Sequence, residues 1–336
     1  MQFRHPFSDE LVRSIFGQFL PLGLIARFEP VAGATGFSGA TICKIGTLDG
    51  QSLCLRGWPP EHPTPQRLAL IHAVLTHVAA RRIEFIPPPL KTASGETFVS
   101  AYGRLWELTP WLPGIAADWT RPEPAKLSAA FAALARFHRA AASFGQPQPA
   151  RAPAPAIAER LALVNELLAG GLAEYERLTE PMAGEIVALV RGRLAPLQTA
   201  LAIAARRPLP LQPAIRDIHG EHVLFSGDEV TGIIDFGALR IDTPLVDIAR
   251  LLGSVAGSDR DLRAAACDAY GELHAVSDED RALVELLDES GLVLAGLNWL
   301  RWLHIERRQF DNLPAVQGRL RHIIARLTTR LVRVEA

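Results

Sequence analysis

Asp217, His219, His222 and Asp235 stand within the single stretch 215–237, which also carries Arg216. Two carboxylates and an imidazole converging from so short a length of chain suit a divalent cation beside a general base. Two apolar arms, 222–226 and 230–234, flank Gly227-Asp228 and predict a hairpin. A turn centred on Asp228 sets position 222 opposite position 234, and cross-strand neighbours lie about 4.5–5.5 Å apart. His222 and Asp235 are therefore expected side by side at the open end of the hairpin. Asp217, one short loop earlier, is expected to fold over the same spot. The plain alternative is a polar cluster that caps strand ends.

The elements that must position these groups fall into two textures. Residues 25–109 read as short strands around one helix, and the remainder as mostly helix. Ser8 suits an N-cap, Asp9 and Glu10 suit the positive end of an opening helix, and Phe7 can staple onto Val12. Strands are expected over 25–31, 41–47 and 52–58, with Asp49-Gly50 signalling a tight hairpin between the last two. A helix over 65–81 places Leu68, Ile71, Leu75 and Val78 on one face. Strands over 97–101 and 104–108 follow the break at Pro87-Pro88-Pro89. Further helices are expected over 124–143, 156–174, 181–206 and beyond Asp247, with a loop over 146–155.

Apolar residues make up 49% of the chain and charged residues 21%, ordinary for a soluble globular protein. A formal net charge of −1 gives no global field for nucleic acid or an anionic membrane, so neither is expected as a partner. No signal peptide is expected from the opening residues, and with no run of about 18 uncharged apolar residues no membrane span is expected either. Cys43, Cys54 and Cys267 lack metal-ligand spacing and read as reduced thiols, which points to the cytoplasm. Basic charge is almost wholly arginine, the lysines being Lys44, Lys91 and Lys126.

The 215–237 stretch resembles the catalytic hairpin of the aminoglycoside phosphotransferase and choline kinase group, relatives of protein kinases. Asp217 matches the family aspartate, His219 the histidine two residues on, and Ile234-Asp235 the second acid. Arg216-Asp217 and Asp235-Phe236-Gly237 echo the protein-kinase wording, and Asp242 to Asp247 resembles a segment whose second aspartate braces the catalytic loop. The resemblance extends over residues 25–250. Gly33 to Gly39, with Gly36 and Gly39, occupies the place of the glycine-rich loop, and Arg56 that of the phosphate-binding lysine. Glu107-Leu108-Thr109 falls where hinge backbone would meet a nucleobase. Leu134 to His138 resembles a helix of the larger lobe.

The resemblance implies an α+β, protein-kinase-like bilobal fold. A small antiparallel β lobe with one helix (1–109) would bind nucleotide, and a larger, mainly helical lobe (110–336) would carry the catalytic hairpin and the substrate. It also implies γ-phosphoryl transfer from ATP or GTP, with Mg²⁺ or Mn²⁺, to a hydroxyl of a small molecule. Asp217 would handle the substrate proton, His222 and Asp235 the metal, Gly36, Gly39, Arg56, Glu107 and Thr109 the nucleotide. Arg216, His219 and Asp247 would support the site.

Two departures stand out. His222 replaces the family's metal-binding asparagine, and the helix over 65–81 has no acid to orient Arg56, with only His72 near that place. Two other readings therefore stand beside the kinase: a kinase-fold binding module without turnover, and a Zn²⁺- or Mn²⁺-dependent hydrolase using Asp217, His219, His222 and Asp235. Trp299, Arg301, Trp302, Glu306, Arg307 and Arg308 form an aromatic and cationic segment that could line a substrate cleft or serve as core and surface.

Overall fold

A computed structural model of the protein describes residues 8–31, 39–145, 149–310 and 312–331. The Ser8 hydroxyl accepts from Leu11 N at 3.1 Å and caps α1 (Asp9–Phe16). Next come β1 (Ile25–Pro30), β2 (Thr41–Thr47), β3 (Ser52–Gly57), α2 (Pro65–Ala79), β4 (Val99–Ala101), β5 (Arg104–Pro110) and β6 (Ile115–Ala116). Five of these strands form an antiparallel sheet in the order β1-β2-β3-β5-β4. Alternation along β2 and β3 buries Cys43, Ile45, Leu53 and Leu55 with Val12, Ile15 and Phe16 of α1. The same alternation sends Lys44, Cys54 and Arg56 to the opposite face. Gly50, at φ +84, makes the expected turn between β2 and β3.

The helical part begins with α3 (Pro124–Ala141), β7 (Ala150–Pro153), α4 (Pro155–Glu166), α5 (Leu172–Glu176), α6 (Pro181–Ala204) and β8 (Pro208–Ala214). The hairpin follows as β9 (Val223–Ser226) and β10 (Glu229–Ile233). Then come β11 (Arg240–Asp242), α7 (Leu245–Val255), α8 (Arg260–Gly271), α9 (Asp278–Leu300) and α10 (Leu313–Leu331). The helix expected over 156–174 is interrupted at Gly170, whose φ of 118 is non-helical, so α4 and α5 are separate. Part of the expected loop at 146–155 is β7, paired to β8. By length and composition α6 could cross a membrane, yet it buries Ile186, Val190, Leu194 and Leu201 inside the protein.

Two compact units result: Met1–Ala116 with Glu221–Gly237, and Ala117–Gly220 with Ala238–Ala336. A boundary after residue 109, with the hairpin in the helical part, is the expectation from sequence. Hydrogen bonding explains why residues 110–116 and the hairpin instead group with the strand-rich unit. β6 pairs with β9, Ile233 N donates to Phe85 O at 2.7 Å, and Thr231 Oγ1 donates to Pro113 O at 2.7 Å.

The hairpin reaches the expected pairing by an unexpected route. Ser226 faces Glu229, so the turn is Gly227-Asp228 alone and sits half a residue earlier than a turn centred on Asp228. An irregularity between Val230 and Gly232 then inserts one residue, and Leu224 faces Gly232. The shift restores 222 against 234, where Ile234 N donates to His222 O at 3.0 Å.

Candidate active site

In the strand-rich unit, the site is built on the sheet face opposite α1. β3 and β5 set Arg56 directly against Glu107. Arg56 Nε lies 3.7 Å from Glu107 Oε1, and its Nη1 donates to Asp235 Oδ1 at 3.4 Å. The guanidinium also lies over the Trp58 ring, 4.8 Å from its centroid. Gly237 gives that indole room, since a Cβ there would come within 3.0 Å of it. Burial opposes the charge on Arg56, but Asp235 and Glu107 outweigh it and hold the group above its usual range.

Glu107 has a second partner. His72 Nε2 lies 2.7 Å from its Oε2, and His72 Nδ1 lies 2.9 Å from Thr97 Oγ1. Burial works against ionisation of Glu107, yet the hydrogen bond and charge of His72, with Arg56, depress its carboxyl below the ordinary value. An ionised carboxylate only accepts, so His72 Nε2 is the donor. The missing acid of α2 is thus supplied from β5, and α2 contributes the histidine that steadies it.

Glu107 and Thr109 do not present backbone to a nucleobase as expected. Trp58 N donates to Leu105 O and Trp111 N to Ser52 O, so the antiparallel alternation commits the backbones of Glu107 and Thr109 to Arg56 and Cys54. Both side chains are buried as well. Gly39, at φ +72, has the backbone freedom expected of a loop glycine. Gly36 and the rest of the expected glycine loop lie outside the described residues.

At the open end of the hairpin, His222 Nε2 lies 3.8 Å from Asp235 Oδ2. Asp235 itself sits at φ 65, a left-handed conformation that aspartate tolerates better than most residues. One nitrogen and one carboxylate suit Mn²⁺ better than Mg²⁺, which prefers oxygen. Among the described residues no group of three or more His, Cys, Asp or Glu side chains is arranged to hold a metal.

In the helical unit, Asp247 in the first turn of α7 organises the approach to Asp217. Fully buried, it accepts from Ile215 N at 2.6 Å, Arg216 N at 2.6 Å and His138 Nε2 at 2.9 Å. His138 is itself 2.9 Å from the Tyr270 hydroxyl. Arg216 adopts φ 67, and its side chain reaches Glu159 and Asp242. These bonds aim Asp217, whose Oδ1 accepts from Arg250 Nη2 at 2.8 Å and lies 3.2 Å from His219 Nε2. Burial opposes ionisation there, but the His219 hydrogen bond and the Arg250 charge hold the Asp217 carboxyl far below the usual range. Gly220 N donates to Ser254 Oγ at 2.9 Å, and a Cβ at Gly220 would strike the Trp119 ring.

The helical unit thus holds a braced aspartate, and the strand-rich unit an arginine with a histidine-aspartate pair. The family model described as "Phosphotransferase enzyme family" matches residues 36–287. The chain belongs to the phosphotransferase enzyme family. Among its phosphotransferase relatives, a homoserine kinase from Methylocella silvestris is 27% identical over 242 residues, 69% of each chain. The fold is that of an aminoglycoside phosphotransferase from Alicyclobacillus acidocaldarius, at TM-score 0.64, 14% identity and coverage of 99% and 98%. It is also that of an amicoumacin kinase solved with AMP-PNP and Ca²⁺, at TM-score 0.66, 12% identity and coverage of 96% and 94%. The protein-kinase-like α+β fold of this phosphotransferase is therefore as expected.

Sequence reasoning missed three members of the phosphotransferase's site framework. Arg250 lies three residues after Asp247 on one helix, a spacing that puts both on neighbouring ground and could have pointed to it. In sequence His138 belongs to a helix resemblance that implies no task for it, and His72 stands out only by its position. The 299–308 segment divides: Trp299 is buried and packs edge-on to Trp302 at 5.1 Å, while Arg308 covers Trp302 at 4.9 Å.

Proposed function

We propose that the protein transfers the γ-phosphoryl group of ATP or GTP to a hydroxyl of a small molecule. The observation that carries this reading is the sharing of Asp235 between Arg56 at 3.4 Å and His222 at 3.8 Å. A fixed guanidinium beside a carboxylate-imidazole pair suits a metal-bound polyphosphate. Arg56 and the loop with Gly36 and Gly39 would bind phosphates, and His222 with Asp235 would hold Mn²⁺ or Mg²⁺. When bound, the cation neutralises charge on the phosphate oxygens. Asp217, kept ionised by His219 and Arg250, would accept a hydrogen bond from the acceptor hydroxyl and orient its oxygen. So depressed an acid is a weak base, which fits phosphoryl transfer, where positioning outweighs early proton removal.

Acceptors range from amino sugars to small metabolites. The homoserine kinase relative is a reason to place a hydroxy amino acid first. The test is a thermal-shift titration with ATP and GTP, each with Mg²⁺, Mn²⁺ or no metal, on wild type and Asp235→Asn. A metal-dependent nucleotide shift lost in Asp235→Asn supports the reading; at about 100 times Kd it corresponds to about 2.7 kcal/mol. No nucleotide shift under any condition sinks it.

A further inference from the structure

Arg160, on α4, is a partly buried cation without an ion-pair partner among the described residues. Among the described residues no carboxylate stands within ion-pair distance of it, in a unit where Arg216, Arg240, Arg250 and Arg263 all have one. Its Nη1 donates to Ala156 O at 3.0 Å, a bond within its own helix. Its Nε is sealed from solvent and has no hydrogen-bond partner. A guanidinium withdrawn from water in this way is costly, because no ion pair replaces the lost hydration and the charges of Asp242 and Glu159 offset it only in part.

The neighbouring groups relieve it only in part. Asp242 is committed to Ala156 N, Thr243 N and Arg216, while Glu159 serves Arg216 and Arg240. Burial, then the charges of Arg216 and Arg250, push the Arg160 guanidinium down to about 10. Arg250 meanwhile holds Asp217. Nothing larger than hydrogen projects from Gly291 of α9, whose Cβ would stand 3.8 Å from Arg160 Nη2. The guanidinium therefore lies against α9 at a point where that helix carries no side chain.

The geometry points to Arg160 as the receptor for an anionic group on the acceptor molecule, most simply a carboxylate held in the same neighbourhood as Arg250 and Asp217. A planar guanidinium whose Nη2 has no partner among the described residues offers that donor edge to a carboxylate. The inference rests on the phosphotransfer reading for the word acceptor, but the anion site is testable by binding alone.

The experiment compares L-serine, L-threonine and L-homoserine with serinol, threoninol and homoserinol, which keep the hydroxyl and amine and lose the carboxylate. Thermal shifts are measured on wild type, Arg160→Met and Arg160→Lys. Expected is a larger shift of wild type by at least one acid than by its alcohol, with apparent affinity about tenfold or more in favour of the acid. Arg160→Met should abolish that difference and Arg160→Lys keep part of it, while the ATP–Mn²⁺ shift is unchanged in both. Should Arg160→Met not fold, Arg160→Gln replaces it. Equal response of wild type to every acid and its alcohol, or a difference that survives in Arg160→Met, overturns the proposal. Loss of the ATP–Mn²⁺ shift in wild type would count against phosphotransfer instead, and the acid-over-alcohol comparison would still decide the anion site.

Discussion

Arg56 on β3 and Glu107 on β5 face each other across the sheet, Nε to Oε1 at 3.7 Å, with His72 holding the far oxygen of the same carboxylate at 2.7 Å. This pair is closed between two strands, without an acid from α2. Glu107→Gln should therefore weaken the nucleotide-dependent thermal shift and cost about 1–3 kcal/mol of stability in urea unfolding. Arg56→Lys should weaken the same shift, because an ammonium cannot both stack on Trp58 and span Glu107 and Asp235.

Asp247 accepts three hydrogen bonds while fully buried. Asp247→Ala leaves His138 and two backbone N–H groups without their acceptor. The expected loss is about 3–5 kcal/mol, read from the midpoint of urea denaturation. His138→Ala should cost less, since the backbone bonds remain.

Asp217→Asn should lower kcat by about 10²–10⁴ and leave the ATP–metal thermal shift intact. Loss of nucleotide binding in a folded Asp217→Asn protein would contradict the role given to this side chain.

The pH dependence follows from the depressed Asp217 carboxyl. Its folded value lies below the unfolded one, near 3.9, so its contribution to stability is complete above that value. The contribution is lost as pH falls toward the folded value. Arg250→Met removes a main cause of the depression, so the urea midpoint of this variant should fall less steeply than wild type between pH 5 and pH 3. Its phosphoryl transfer, in contrast, should decline at a higher pH than wild type as Asp217 becomes easier to protonate.

On the proposed reading, His222 beside Asp235 would set the metal preference. His222→Asn exchanges the imidazole for an amide oxygen and should raise the nucleotide shift with Mg²⁺ relative to that with Mn²⁺. An unchanged ratio would remove His222 from the cation site.

Most of the framework was legible because its signals are local. The Asp49-Gly50 turn, the alternation of β2 and β3, and the cap at Ser8 each follow from a few adjacent residues. The pairing of 222 with 234 was also anticipated, although through a bulge at Thr231 that no pattern announces. What could not be read was register between distant strands. Glu107 looks like a hinge residue in a linear alignment, and only the β3–β5 ladder turns its side chain toward Arg56. Arg250 and His138 were hidden for the same reason: each acts on residues far away in sequence.

The grouping of the hairpin with the strand-rich unit bears on how the protein is born. That unit draws on residues up to 116 and again on 221–237, so the ribosome must make the intervening helical segment before β9 can pair with β6. At about 5–20 residues per second, the early strands wait roughly 5–20 s for their last partners. During that interval Ile115 and the edge of β6 have no neighbour, and the nascent chain has good reason to need a chaperone.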